Sequence, residues 1–316
     1  MLLVKGQKLD VNYHEELEPH LDKFNRMRYR GEKLQCCSPF RHEKNPSFAV
    51  NLENGTWVDS GADSEEMRKG SFLTLLAFLR EESNEETGDY LLDRYGRLFD
   101  DMDALTLSLA LTPIETSKPL NFNEERGEAV ICRPYLLRRG FSQQPINKFG
   151  IFEKGGAVAL PWFNHKGELV NIKYRHIASK KFWYANHGQP IKNFLFGAYY
   201  VLKTGADTVW IVESEIDALY LWSCGIPAIA TGGSSLSDAQ MDLMKQLPLR
   251  LLVIATDNDT VGHRFANVIA QKFGGYFPTY RIQFPPYKKD VNEMSIAELM
   301  GINNQLPKAL PVQFTF

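Results

Sequence analysis

Val209-Trp210-Ile211-Val212-Glu213-Ser214-Glu215-Ile216-Asp217 and, further on, Leu252-Val253-Ile254-Ala255-Thr256-Asp257-Asn258-Asp259 each place carboxylates just beyond an apolar run. The runs are rich in Val, Ile and Leu without polar alternation, which suits strands buried on both faces of a parallel sheet. Helical patterns follow each, Asp217-Ala218-Leu219-Tyr220-Leu221-Trp222 and Arg264-Phe265-Ala266-Asn267-Val268-Ile269-Ala270. This alternation predicts an α/β core. Ligands bind such sheets beyond the carboxyl ends of the strands, so Glu213, Asp257 and Asp259 are expected in one crevice. Asp217, one helical turn after Glu213, is expected to face it too. Carboxylate oxygens are hard ligands that suit Mg²⁺ or Mn²⁺. Any one acidic residue at a strand end serves equally well as a helix N-cap. Several gathered at one sheet edge, with no basic partner in the same segments, repel one another and favour a cation.

The rest of the chain sets the frame. At 316 residues and 44% apolar content there is room for two or three domains around sizeable cores. The cysteines, two of them adjacent, make no disulfide framework, and a reducing cytoplasm is the expected compartment. No long apolar stretch or signal sequence is read, so no membrane partner is expected. Net charge is −2, which argues against a generally basic nucleic-acid binder, but the charge is unevenly spread. From Leu169 to Ala206 there is no Asp or Glu, while Lys173, Arg175, Lys180, Lys181, Lys192 and Lys203 interleave with aromatic residues. A basic, aromatic strip suits tracking a phosphate backbone while stacking bases. Arg175, Lys180, Lys181 and Lys192 are therefore read as template or nucleotide contacts, and Phe194 and Phe196 as core. Upstream, the acidic stretch 81–103 carries Leu91, Leu92, Tyr95, Leu98 and Phe99 at helical spacing, which predicts an amphipathic helix with an acidic outer face. A linker is expected over 104–125, where Thr112-Pro113 and Ser117-Lys118-Pro119 fall.

A strand ending in Glu, an Asp four residues on and a later strand ending in Asp-x-Asp resemble the Toprim fold of bacterial-type primases, type IA and II topoisomerases and some nucleases. The Gly usual after the Glu is Ser214 here. Tyr135-Leu136-Leu137-Arg138-Arg139-Gly140-Phe141 with Ile146–Ile151 resembles the opening of the primase RNA-polymerase domain. Ala159–Phe163 with Gly167–Val170 resembles its following hairpin, Asn193–Gly197 the segment leading into Toprim, and Lys289-Asp290-Val291-Asn292-Glu293 a late Lys-Asp-x-Asn-Glu element. In the N-terminal third, Ser38–Phe48 and Trp57–Gly61 resemble the zinc ribbon that precedes that domain. Its ligand places are taken by Ser38, Arg41, Asp59 and Ala62, which are not a zinc set. Cys36, Cys37 and His42 lie nearby, yet no zinc is expected; apolar packing through Phe40, Phe48, Val50, Trp57 and the helix Ser71–Leu79 is expected to replace it.

The resemblance implies a mixed α+β and α/β chain: a ribbon-like DNA-binding module over 1–82, an acidic helix and linker over 83–125, the basic part of an RNA-polymerase domain over 126–205, a Toprim subdomain over 206–298 and a tail over 299–316. It implies a primase, a nucleotidyltransferase making short RNA primers on single-stranded DNA from NTPs with Mg²⁺ or Mn²⁺. Asp257 and Asp259 would be metal ligands, Glu213 a ligand or the general base, and Asp217, Asp290 and Asn292 the periphery. Any helicase partner is expected to be a separate chain, and a phage or mobile-element origin is expected by analogy. The alternatives on the same carboxylates are a Toprim nuclease and a non-catalytic single-stranded-DNA-binding adaptor.

Overall fold

The computed structural model describes residues 1–62, 68–96, 120–127 and 134–307. They fall into two compact units, one drawn from Met1–Lys118 with Arg175–Trp183, the other from Pro119–Tyr174 and Tyr184–Phe316.

In the first unit the hairpin β1 (Leu2–Val4) and β2 (Gln7–Leu9) leads into the short helix α1 (Tyr13–Leu17). An antiparallel sheet follows in chain order: β3 (Arg28–Arg30), β4 (Lys33–Cys36), β5 (Phe48–Asn51), β6 (Thr56–Asp59) and β7 (Lys69–Ser71). Strand alternation sends Leu34, Cys36, Phe48, Val50 and Trp57 to one buried face. Helix α2 (Phe72–Arg80) covers that face with Phe72, Leu75, Leu76 and Leu79, while Phe40 packs on Trp57 at 5.0 Å between ring centroids. The apolar core expected of the ribbon-like module is therefore present. Helix α3 (Asn84–Tyr95) starts on a capping box between Ser83 and Glu86, buries Leu91 and ends at Gly96. Leu98, Phe99 and residues 100–119, the later part of the expected acidic helix and most of the linker, lie outside the described residues.

A polar cluster lies at the edge of this core. Asp59 is 0% exposed. Its Oδ2 accepts from Ser38 Oγ at 2.7 Å and from the Arg41 guanidinium at 2.5 Å. Arg41 also donates to Glu43 and to Ser47 Oγ, both at 2.6 Å, and the Ala62 amide reaches the Asp59 carbonyl at 3.3 Å. Burial alone would raise the Asp59 carboxyl; the bonds from Arg41 and Ser38 outweigh it and hold the carboxyl below its ordinary range. The four places read as former zinc positions are thus joined by an ion-paired, hydrogen-bonded network. Cys36 and Cys37 lie buried beside it as free thiols.

The second unit opens with α4 (Phe122–Arg126), α5 (Pro134–Arg138) and α6 (Gln143–Lys148). A sheet of order β11-β10-β9-β8 follows, from β8 (Phe152–Lys154), β9 (Ala157–Phe163), β10 (Leu169–His176) and β11 (Phe182–Tyr184). The far end of its β10–β11 hairpin is the segment that belongs to the first unit. Helix α7 (Ala198–Thr204) then leads into alternating strands and helices: β12 (Thr208–Val212), α8 (Glu215–Ser223), β13 (Ala228–Ala230), α9 (Asp238–Gln246), β14 (Leu251–Ile254), α10 (Thr260–Phe273), β15 (Thr279–Arg281) and α11 (Ile296–Gln305). The sheet is parallel throughout, in order β13-β12-β14-β15. β12, β13 and β14 are buried on both faces, as their uninterrupted apolar runs require, while the edge strand β15 is largely exposed. Val209, Ile211, Leu252 and Ile254 meet Phe265, Ile269 and Phe273 of α10 in one core. The chain leaves β12 in one direction for β13 and returns past it to β14, so the topological switch point lies between the ends of β12 and β14.

Candidate metal and catalytic site

Glu213 follows β12 directly and Asp257 lies just beyond β14, so both expected carboxylates sit at the switch point. Oε1 of Glu213 accepts from the backbone amide of Asp257 at 3.1 Å. Ser214 caps α8, accepting from the Asp217 amide at 3.2 Å and donating from Oγ to Asp217 Oδ2 at 2.6 Å. This is what Ser does in place of Gly. Asp217, 6% exposed, also accepts from Asn292 Nδ2, which reaches back from the 3-10 turn Val291–Glu293.

Asp259 and Asp290 are both caps, as acidic residues at such places often are. Asp259 Oδ1 accepts from the Gly262 amide at 2.9 Å, and Asp290 Oδ1 from the Glu293 amide at 3.1 Å. Capping uses only one oxygen of each. Gly262 is needed at its place because a Cβ there would lie 2.1 Å from the Asp257 carbonyl oxygen. Asn258 joins the two acidic loops, donating from its amide to Lys289 O at 2.7 Å and from Nδ2 to Lys288 O at 2.9 Å.

The electrostatics follow from this assembly. Burial, then the fields of Asp217, Glu213, Asp290 and Asp259, push the Asp257 carboxyl up to about 8. Four carboxylates thus act on a fifth. Among the described residues, no three His, Cys, Asp or Glu side chains close into a ready-made metal-binding group. The buried Oδ1 of Asn292 has no hydrogen-bond partner. Hard oxygens, excess negative charge and an orphan acceptor are a donor set that fits Mg²⁺ or Mn²⁺.

The basic residues are distributed differently. Lys192 stays in the second unit, in the 3-10 turn Ile191–Asn193, where its carbonyl accepts from Ser237 Oγ. Arg175, Lys180 and Lys181 belong to the first unit. There the Lys180 amide donates to Phe40 O at 2.8 Å, and Lys181 Nζ stands 4.8 Å from the Phe40 ring centroid. Lys173, read with the strip, is instead 7% exposed and pairs with Glu215, its Nζ 3.2 Å from Oε1, while donating to Gly232 O at 3.0 Å. Phe196 is buried, as expected. Sequence reading missed the part played by Ser214; the Ser-x-x-Asp spacing of a helix cap was its signal.

The family model described as Toprim-like matches residues 210–295, the segment that carries every one of these acidic residues. An uncharacterized protein of Mycoplasma pneumoniae, the MG010 homolog, is 30% identical over 51% of this chain and 79% of its own length. The DNA primase of Clostridium acetobutylicum is 24% identical over 75% of this chain and 47% of its own length. This chain belongs to the Toprim primase family. It spans about half the length of the clostridial primase. The structure of the Aquifex aeolicus primase, zinc-binding and RNA polymerase domains, overlays 93% of this chain and 83% of that one at 17% identity, with a TM-score of 0.48. No helix among the described residues is long and apolar enough to cross a membrane.

Proposed function

We propose that the protein is a DNA primase that synthesises short RNA primers on single-stranded DNA. The observation that carries this reading is the Asp257 carboxyl, crowded by Glu213, Asp217, Asp259 and Asp290 at the switch point of a Toprim sheet. Mg²⁺ or Mn²⁺ bound there would screen the triphosphate charge and lower the barrier to attack of a 3′-hydroxyl on the α-phosphate. Asp257 and Asp259 would be metal ligands, and Glu213 a ligand or the general base. Asp217 and Asn292 would hold α8 to the turn that Asp290 caps, with Asn258 keeping the two loops in register. Arg175, Lys180, Lys181 and Lys192 would contact phosphates of template or nucleotide, and the ribbon-like module would hold the template without zinc, its Arg41–Asp59 network standing in for the metal. The protein would act in the cytoplasm beside a replicative helicase, and a ribbon-like module whose ligand places hold Ser38, Arg41, Asp59 and Ala62 fits a phage or mobile element.

The test is incubation with single-stranded DNA, labelled NTPs and Mg²⁺ or Mn²⁺, with Asp257→Ala as control. Short RNA products lost in the variant support priming. Cleaved DNA would make the protein a nuclease, and DNA binding with neither product would make it an adaptor.

A further inference from the structure

A second concave site lies beside the acid cluster, at the carboxyl ends of β14 and β15 and the start of α10. It is an open cavity of about 430 Å³ whose lining includes Thr256, Asn258, His263, Arg281, Gln283 and Phe284. Its chemistry is opposite to that of the acid cluster. From Thr260 to Lys289 the chain contains no Asp or Glu. His263 ring Nε2 lies 3.0 Å from Asn258 Oδ1, and Arg281 makes a long bond to Asn267 Oδ1 at 3.3 Å. Polar hydrogen-bonding groups, a guanidinium and an aromatic edge therefore surround a volume of nucleotide size.

The loop that follows β15 supplies a second, independent observation. Tyr287 is 101% exposed and holds φ at +67°. A bulky residue in the left-handed region is strained, and a fully exposed ring recovers none of that cost by packing. Lys288 and Lys289 follow it directly, and their carbonyls are the ones Asn258 holds. Asn258 thus belongs at once to the cavity wall and to the anchor of the exposed tyrosine. A ring presented to solvent beside two lysines, next to a basic cavity, is a stacking platform on a phosphate path.

We propose that the β14–β15 cavity and Tyr287 form a strand-binding site for single-stranded nucleic acid alongside the acid cluster, with Arg281 and His263 at a phosphate and Tyr287 stacked on a base. The proposal rests on the priming reading, which supplies the strand. A free nucleotide shares the chemistry but would fill the cavity without needing a ring outside it.

The test is fluorescence anisotropy of a labelled oligo(dT) 15-mer with the full chain, over a range of KCl, for wild type, Tyr287→Gly, Tyr287→Trp and Arg281→Gln, with ATP binding measured in parallel. Tyr287→Gly is expected to weaken oligonucleotide binding about five- to a hundredfold. Its thermal midpoint should not fall, because glycine relieves the strained φ. Tyr287→Trp is expected to restore binding, and Arg281→Gln to reduce the salt slope by about one. Oligonucleotide binding that these substitutions leave unchanged overturns the proposal while the priming reading stands. Variants that weaken ATP binding alone also overturn it, in favour of a free-nucleotide site. A wild-type chain that binds no oligonucleotide overturns both.

Discussion

Oε1 of Glu213 accepts a hydrogen bond from the backbone amide of Asp257 at 3.1 Å, which ties the acidic end of β12 to that of β14 across the switch point. Two neighbouring parallel strands thus share one acidic rim, and Asp257 is the residue on which its charge converges.

The first prediction concerns pH. A carboxyl raised from 3.8 to about 8 on folding gives the folded state the extra proton between those values. Its contribution to stability therefore declines as pH rises through that window and is fully unfavourable above about 8. In EDTA, the wild-type thermal midpoint should drop between pH 6 and pH 8 more than that of Asp257→Asn. The variant should be the more stable at pH 8 by about 3 °C or more. Equal pH slopes in the two proteins would contradict the crowding.

Ser214 offers a second test. Removing its cap in Ser214→Ala should cost about 1 kcal/mol, and in Ser214→Gly only a few tenths. Both variants free Asp217 from the bond to Ser214 Oγ, so both should change the Mn²⁺ dependence of activity even where melting barely moves. Calorimetry and metal titration separate the two effects.

The ribbon-like unit has its own point of weakness. Arg41→Met leaves Asp59 buried without its guanidinium, a kind of change that costs about 3–5 kcal/mol. Urea unfolding should show that loss in the first unit, and Arg41→Met with Asp59→Leu should recover much of it. Because the Asp59 carboxyl is held low, its stabilisation is present above the ordinary carboxylate range and is lost as pH falls below about 4.

Gly262 tests the geometry of the α10 turn. A methyl group in Gly262→Ala would have to displace the Asp257 carbonyl, so activity should fall at least tenfold while Gly301→Ala, whose Cβ meets open space on α11, stays near wild type. Comparable losses in both would point to global damage instead.

What could be read from sequence divides along physical lines. β12, β14 and their acidic ends were legible because a doubly buried parallel strand must be apolar without interruption, and its carboxyl end is where polar residues collect. Asp290 and Asn292 came only through family resemblance, since nothing local says that a turn so far along the chain folds back on Asp217. Composition groups Lys173 with a basic strip because it does not reveal a buried partner; Glu215 sits in a different strand–helix turn. The same limit hid the division of the strip: Arg175, Lys180 and Lys181 ride on a hairpin end that packs with the first unit, a tertiary choice invisible in residue order. The Arg41–Asp59 network was hidden in a similar way. Sequence showed that zinc ligands were missing, and only the fold brought Ser38, Arg41 and Asp59 together.

The most direct measurement is calorimetric titration of Mn²⁺ into metal-free wild type, Asp257→Asn and Arg41→Met at pH 8. The account predicts saturable binding to the wild type, with proton release from the raised carboxyl, at least tenfold weaker binding to Asp257→Asn, and unchanged binding to Arg41→Met. Asp257→Asn that binds Mn²⁺ as tightly as the wild type, with the same proton release, would contradict it.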